Sequence, residues 1–139
     1  MTHVDSTLIC TFRKAPPMSN PVVHFEIMTP RPDRVRKFYA EVFGWQMTPV
    51  QDFYTLIGTK RPGDATGIDG GIGESQDGSN DIVMYIEVDD TDAFLKKVNE
   101  KGGKTITPTT VVPGMVTFAT FKDLDGNTVG LVKREPPAR

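Results

Sequence analysis

The segment Val22-Val23-His24-Phe25-Glu26-Ile27 recurs without a gap as Val83-Met84-Tyr85-Ile86-Glu87-Val88. In the first copy apolar residues stand at the odd positions, whereas His24 and Glu26 stand at the even ones. This alternation is typical of a strand with one buried face. Superposing the two copies puts His24 on Tyr85 and Glu26 on Glu87. We interpret the copies as equivalent strands that open two similar folding units.

A helix is predicted after each copy. Apolar side chains recur at helical spacing after the first strand, at Val35, Phe38, Tyr39 and Val42. Gly44 is placed to end this helix, and Gly102-Gly103 to end the second. Thr91 is predicted to be the N-cap of the second helix. The shared order of strand, helix and glycine indicates a duplication of about 60 residues.

Short apolar runs between glycines predict three further strands in each half, near residues 45–50, 54–59 and 68–73, and near 104–107, 115–122 and 128–133. Asp125-Gly126 is a strong hairpin-turn signal between the last two. The predicted fold is α+β, with two tandem βαβββ modules, residues 21–74 and 81–134, in one domain over 21–135. Residues 1–20 are predicted to be a flexible N-terminal extension. Each half is too small to cover its own sheet, so the halves are expected to pair within the chain or across a dimer.

Composition excludes several classes of function. The chain has 139 residues, 37% of them hydrophobic and 24% charged, with a formal net charge of -2. This balance gives no electrostatic case for a nucleic-acid partner, and no apolar run is long enough to cross a membrane. The apolar stretch 7–12 is too short for a secretion signal. A single cysteine, Cys10, cannot form an internal disulfide, so a cytoplasmic location is expected.

Three motifs carry a family resemblance: Phe38-Tyr39 with Phe43-Gly44-Trp45, Glu87-Val88-Asp89-Asp90, and the run from Phe121 to Asn127. Together they resemble the glyoxalase/bleomycin-resistance/dioxygenase (vicinal oxygen chelate) superfamily, and within it the predicted glyoxalase-related branch. The likeness covers about residues 21–134, and Leu124 replaces a proline that is usual in the closing hairpin. The resemblance implies a curled mixed sheet around a shared pocket, and a homodimer. Exposed sheet edges also favour a homodimer.

The resemblance further implies where a metal would bind. Metal-dependent members hold a divalent ion on up to four His, Gln or Glu ligands, two from the first strands of the halves and two from the last strands. Transferred to this chain, those positions are Val22, Val83, Gly130 and a glycine near 70–72. None of them offers a ligand, so no metal ligand set and no cofactor are predicted. His24 lies one pleat from Val22, which keeps a divalent metal open as an alternative.

The predicted ligand pocket consists of His24, Glu26, Tyr85 and Glu87, and no residue is assigned as catalytic. The two glutamates could act as acid and base, or pair with nearby cations. His24 could be a general base with its tautomer fixed by a carboxylate, or a structural histidine, and Tyr85 could donate a proton or wall the pocket. Three hypotheses remain: a metal-free protein that binds a small organic molecule, a metal-dependent lyase, isomerase or dioxygenase, and a metal-independent acid–base enzyme.

Overall fold

A computed structural model of the chain describes residues 19–134. Ten elements follow one another in the order predicted, and the first five repeat as the last five. They are β1 (Val22–Thr29), α1 (Pro32–Phe43), β2 (Gln46–Gln51), β3 (Tyr54–Gly58), β4 (Gly70–Glu74), β5 (Asp81–Val88), α2 (Thr91–Glu100), β6 (Lys104–Val112), β7 (Val116–Lys122) and β8 (Thr128–Lys133). The α+β fold of two βαβββ modules is therefore confirmed. The prediction for residues 1–20 falls almost entirely outside the described residues.

All eight strands belong to one curled, mixed sheet with the order β2-β3-β4-β1-β5-β8-β7-β6. Within each half the first strand runs parallel to the last, β1 beside β4 and β5 beside β8. The halves meet where β1 and β5 pair antiparallel, with His24 opposite Tyr85 and Glu26 opposite Val83. Pairing between the halves thus takes place within the chain, which was one of the two arrangements expected.

Each half has its own hydrophobic core beneath its helix. Ile27, Ile57 and Ile72 form the first core under α1. Val88, Leu95, Ala119 and Leu131 form the second core under α2. Since Ile27 and Val88 are equivalent in the repeat, both opening strands turn the same side toward a helix. We call this side of the sheet the helix face. The opposite side, to which the even positions of β1 point, is the open face.

The predicted end of α1 is confirmed, whereas α2 begins one residue away from the predicted position. Helix α1 begins at Pro32 and stops at Gly44, which has φ of 72° and donates its N–H to Ala40 O, as predicted. The N-cap of α2 is Asp90, whose backbone is extended and whose carboxylate accepts the Ala93 N–H. The prediction of Thr91 as N-cap was wrong. Thr91 is the first helical residue, and its buried hydroxyl bonds that of Thr109.

Strands β4 and β6 differ from their predicted limits by two residues or more. Strand β4 begins at Gly70, two residues after the predicted start, and β6 continues to Val112, five residues beyond the predicted end.

Between residues 19 and 134, neither helix has the length and apolar character needed to cross a membrane.

Candidate functional site

Three of the four predicted pocket residues lie together at the centre of the open face. Glu26 on β1 accepts two phenol hydrogens, one on each carboxylate oxygen. Tyr85 Oη on β5 donates to Oε1 over 3.0 Å, and Tyr54 Oη on β3 donates to Oε2 over 2.9 Å. Glu26 is therefore the centre of a hydrogen-bond network that joins both halves of the chain.

His24 joins the network through Tyr54 rather than through Glu26. Its Nε2 lies 3.1 Å from Tyr54 Oη. Because the single Tyr54 hydroxyl hydrogen goes to Glu26, the Nε2–H must be the donor to Tyr54, which leaves Nδ1 as an acceptor in the neutral ring. The His24 and Tyr85 rings also pack edge to face, with centroids 5.7 Å apart and an angle of 73° between their planes. One of the two alternatives for His24 placed a carboxylate in direct contact with its ring, and in the structure a phenol lies between the two groups.

Two glycines make room for the tyrosine rings. A Cβ on Gly130, in β8, would lie 2.3 Å from the Tyr85 ring, and a Cβ on Gly71, in β4, would lie 2.1 Å from Tyr54 Oη. Any larger side chain at either position would collide with the ring as it now lies. Gly130 occupies one position that the resemblance assigns to a metal ligand, and Gly71 lies in the stretch that contains the other.

The surroundings of the network set its protonation. Burial raises the pKa of Tyr54 and of Tyr85 far above the ordinary phenol value, and the Glu26 carboxylate raises both pKa values further. Burial also lowers the pKa of His24, while Glu26 and Asp69 act in the opposite direction. At neutral pH both phenols are therefore protonated and the His24 imidazole is mostly uncharged.

Glu87, the fourth predicted pocket residue, follows Tyr85 by two positions on β5 but takes no part in the hydrogen bonds of the network. It is four residues along β5 from Val83, the partner of Glu26, which corresponds to about 13 Å of strand. Its backbone N–H donates to Pro21 O and its carbonyl accepts from the Asn20 amide. The two glutamates of the repeat therefore do not form a carboxylate pair, and whether Glu87 contacts a ligand stays a prediction.

A cleft of about 320 Å³ opens beside Glu26 and Tyr85 on the open face. Its walls combine apolar side chains with hydroxyls, and the segment 75–81 between β4 and β5 closes one side. The residues that line it include Met28, Ser75, Val83, Thr120 and Thr128. The buried Ser75 Oγ has no hydrogen-bond partner. This volume is at the lower end of the range for small-molecule pockets.

The positions that the resemblance assigns to metal ligands do not fit a divalent ion. Val22 and Val83 carry no donor atom, and at Gly130 the space of a side chain is filled by the Tyr85 ring. Across residues 19–134, no three His, Cys, Asp or Glu side chains are grouped closely enough to hold a metal. Of the expected donor types, only His24 and Glu26 lie within the network, and a catalytic zinc site ordinarily uses three protein ligands.

Sequence reasoning missed Tyr54, which bridges His24 and Glu26. The residue opens a predicted strand, but the sequence pattern does not indicate that this strand lies two places from β1, with glycine-containing β4 between them. The available signal was glycine inside strand patterns at Gly71 and Gly130, which marks close approach by a neighbouring group. That group is an aromatic ring from a nearby strand.

A curled eight-stranded sheet of two βαβββ modules, with a cleft on the face away from the helices, defines a glyoxalase-like class of fold. The sequence model of the Glyoxalase/Bleomycin resistance protein/Dioxygenase superfamily matches residues 22–131. The chain belongs to this superfamily.

Three similar proteins illustrate the range of the family. A glyoxylase-like domain-containing protein of Didymella fabae is 28% identical over 111 residues, which is 73% of this chain and 84% of the relative. Methylmalonyl-CoA epimerase of Mycobacterium tuberculosis has a similar structure, with a TM-score of 0.60 at 16% identity over 89% of this chain and 96% of that one. The Mn(II)-bound glyoxalase of Novosphingobium aromaticivorans has a TM-score of 0.58 at 18% identity, over 87% of this chain and 44% of that one. At these identities the two structures establish the fold and not the reaction.

Proposed function

We propose that this chain binds a small organic molecule in the open-face cleft and holds it by hydrogen bonds and apolar contacts, without the metal ligand set usual in the superfamily. One observation carries the proposal. Both oxygens of Glu26 accept phenol hydrogens from tyrosines whose rings lie over glycines, and one of these glycines occupies a predicted ligand position. At the centre of the site, protein side chains therefore supply one another's hydrogen-bond partners.

The network leaves groups with which a ligand can bond. A carboxylate has about four lone-pair positions, so Glu26 keeps acceptor capacity after it has received two phenols. Thr120 and Thr128 add hydroxyls, and Met28 and Val83 add apolar surface. A few polar groups among apolar walls are characteristic of small-molecule sites.

The charge of the cleft discriminates among ligand classes. Its lining contains the carboxylates of Glu26, Asp77 and Asp81 and no cationic side chain, while Lys122 lies just beyond it and donates to the Thr128 hydroxyl over 3.0 Å. Three carboxylates thus face one ammonium group. A polyanionic ligand such as an acyl-CoA would meet repulsion there. The site therefore suits a neutral molecule or one with hydrogen-bond donors better than the acyl-CoA substrate in the name of the structurally similar epimerase.

A second candidate, a metal-independent acid–base enzyme, is favoured by the direction of the hydrogen bonds. The chain runs from His24 Nε2–H to Tyr54 and from Tyr54 to Glu26. A proton accepted at His24 Nδ1 would create an imidazolium whose other N–H already points into a chain that ends on a carboxylate. His24 does not itself line the cleft, so it would act as the base on a bound molecule that extends past Tyr85 toward the imidazole, with Tyr54 as its positioning residue.

The proposal is tested by screening neutral, cationic and anionic small molecules for binding to the tag-free protein by ligand-observed NMR. For a molecule that binds in the cleft, we expect Tyr85→Phe and Glu26→Gln to weaken affinity at least tenfold. Tyr39→Phe is the matched control, because Tyr39 packs on Trp45 outside the network. Turnover of the bound molecule that is lost in His24→Gln would favour the acid–base enzyme.

Metal analysis of the same preparations tests whether the site is metal-free. Protein purified without chelator and soaked with nickel, zinc, manganese and iron salts is expected to retain less than about one-tenth of an equivalent of metal. A stoichiometric metal that is lost in both His24→Gln and Glu26→Gln would refute the metal-free site and return the metal-dependent hypothesis.

A further inference from the structure

The open-face cleft contains a carboxylate that its own donors do not saturate. Glu26 receives one phenol hydrogen on each oxygen, and each oxygen keeps room for a further hydrogen bond. The hydroxyl hydrogens of Tyr54 and Tyr85 are both used in this way. A donor on a bound molecule can therefore bond to Glu26 without displacing either tyrosine.

Two more carboxylates share one hydroxyl in the segment 75–81. Ser79 Oγ lies 2.6 Å from Asp77 Oδ1 and 3.3 Å from Asp81 Oδ2. The single hydroxyl hydrogen goes to Asp77, the closer of the two. The side-chain and backbone hydrogen bonds from Ser79 also lower the pKa of Asp77, so this carboxylate stays ionised. Two like charges this close repel each other, and a cation between them would relieve that repulsion.

The strand register places Asp81 close to Glu26 as well. Glu26 pairs with Val83, and Met28 pairs with Asp81 one pleat further along. Diagonal neighbours on one face of a strand pair are about 7–8 Å apart, so one small group can contact both side chains. Within residues 19–134, none of the three carboxylates belongs to an ion pair, and this includes any pair with nearby Lys122.

The spacing of the carboxylates suits an organic cation rather than a metal ion. Across the described part of the chain, no three His, Cys, Asp or Glu side chains are grouped closely enough to hold a metal. An ammonium group carries three N–H donors and can bond to separate carboxylate and hydroxyl oxygens. Met28, Val83 and the Tyr85 ring line the same cleft and offer apolar surface to the carbon skeleton of such a molecule.

Ser75 is an independent indication that the ligand carries hydrogen-bond donors. Its backbone N–H donates to Thr29 O, which fixes the residue just after β4. Ser75 lines the cleft, and its buried Oγ has no hydrogen-bond partner within residues 19–134. Buried hydroxyls of native proteins are nearly always hydrogen-bonded. An N–H of a bound ammonium group would provide the partner that this oxygen lacks.

We propose, on the basis of the metal-free small-molecule site described above, that the ligand of the open-face cleft is a small primary amine. Its ammonium group lies between Glu26 and the Asp77–Asp81 pair, and its carbon skeleton lies on the apolar wall. A quaternary ammonium would match the charge but has no N–H for Ser75 or the carboxylates. An alcohol of the same shape has no charge, and a carboxylate would be repelled.

Matched compounds with four head groups test the proposal. Primary ammonium, trimethylammonium, hydroxyl and carboxylate are each placed on butyl, cyclohexylmethyl and 3-phenylpropyl skeletons. Binding to the full chain is measured by ligand-observed NMR at neutral pH, where a primary amine is protonated. On the skeleton that fits best, the amine is expected to bind about tenfold more tightly than its three analogues, because charge-assisted hydrogen bonds are the stronger ones.

Substitutions in the cleft identify the groups that hold the ammonium. Asp77→Asn and Asp81→Asn are each expected to weaken binding of the amine about tenfold, and Ser75→Ala about three- to tenfold. Ser75→Ala is also expected to leave the melting temperature of the free protein unchanged or higher, because its hydroxyl has no partner to lose. A merely structural hydroxyl would show a lower melting temperature instead.

The matched control is Asp64→Asn, which removes the same charge from another loop. Asp64 accepts the backbone N–H two residues ahead, as Asp77 does, but it does not line the cleft. It is expected to leave amine binding unchanged, and far-ultraviolet circular dichroism checks that every variant is folded.

Two failures can be told apart in these measurements. Alcohols or carboxylates that bind in the cleft at least as tightly as the amines would overturn the amine assignment and leave the small-molecule site standing. Amine binding that survives Asp77→Asn and Asp81→Asn together would overturn the assignment as well. If no compound of any charge binds, here or in the broader screen, the small-molecule site itself is refuted.

Discussion

Glycine at position 130 determines where the Tyr85 ring can lie. The backbone of β8 passes directly beneath the ring, and a Cβ there would lie 2.3 Å from it. Tyr85 is 8% exposed, so the ring has little free space into which to move. The Glu26 network therefore requires glycine at position 130 as well as the side chains that form its hydrogen bonds.

Gly130→Ala is expected to lower the free energy of unfolding by about 1–3 kcal/mol, because it overpacks a buried position and displaces the phenol from Glu26. Urea unfolding measures the change. Gly58→Ala is the matched control, since its Cβ would come no closer than 3.7 Å to any atom outside its chain neighbours. In a Tyr85→Ala background the Gly130→Ala penalty is expected to shrink. An unchanged penalty would show that the ring is not the cause.

The lowered pKa of His24 predicts a pH dependence of stability. Since the folded-state pKa lies below the ordinary value of 6.5, the unfolded chain binds a proton at His24 first as the pH falls. The free energy of unfolding is therefore expected to decrease between pH 6.5 and the lower folded-state pKa, and this component is flat above and below that window. His24→Gln is expected to remove it. An NMR titration that gave His24 a pKa above 6.5 would contradict the prediction.

Residue patterns predicted the faces of the strands but not their neighbours. The alternation around His24 and Glu26 was sufficient to place both on one face with Tyr85. The inclusion of Tyr54 depends on β4 lying beside β1 and β3 lying beside β4, an order fixed by packing of the whole sheet. The separation of Glu26 from Glu87 has a similar origin. The two are equivalent in the repeat, but antiparallel pairing moves equivalent residues apart on either side of the His24–Tyr85 pair.

Among the elements, α2 illustrates how adjacent capping residues compete. Asp90 and Thr91 both belong to residue types that favour N-caps, so composition alone leaves the first helical residue open by one position. The residue with an extended backbone is the N-cap, and this residue is Asp90, with φ of -146° and ψ of 101°. Helix α1 had no such ambiguity at its end, because Gly44 alone offers the left-handed conformation there.

The contribution of the α2 cap to stability can be measured by removing its acceptor. Asp90→Ala is expected to lower the free energy of unfolding by about 1 kcal/mol, because the Ala93 N–H loses its partner. Asp90→Ser, which keeps an acceptor at the same position, is expected to retain most of the stability. Guanidinium unfolding of both variants provides the measurement. Equal losses in the alanine and serine variants would attribute the effect to something other than the cap.

One strand pair joins the two separate cores of the domain. The core under α1 and the core under α2 share no residue, and the halves meet chiefly through β1 and β5. The Glu26 network crosses this junction, since Tyr54 belongs to the first half and Tyr85 to the second. The sequence repeat predicted both halves, but it left open whether they pair within one chain or between two chains. The structure shows pairing within the chain. We infer that the junction makes the halves a single cooperative unit.

Trp45, the only tryptophan, tests that cooperativity because it packs against the first core. Leu95→Ala, in the second core, is expected to lower the free energy of unfolding by about 2–5 kcal/mol. If the halves unfold together, Trp45 fluorescence and far-ultraviolet circular dichroism will shift by the same amount, although the substitution lies in the other half. Two separated transitions, with the Trp45 signal unshifted, would instead mean that each βαβββ half unfolds by itself. In that case the Glu26 network could be lost while α1 and its core remain folded.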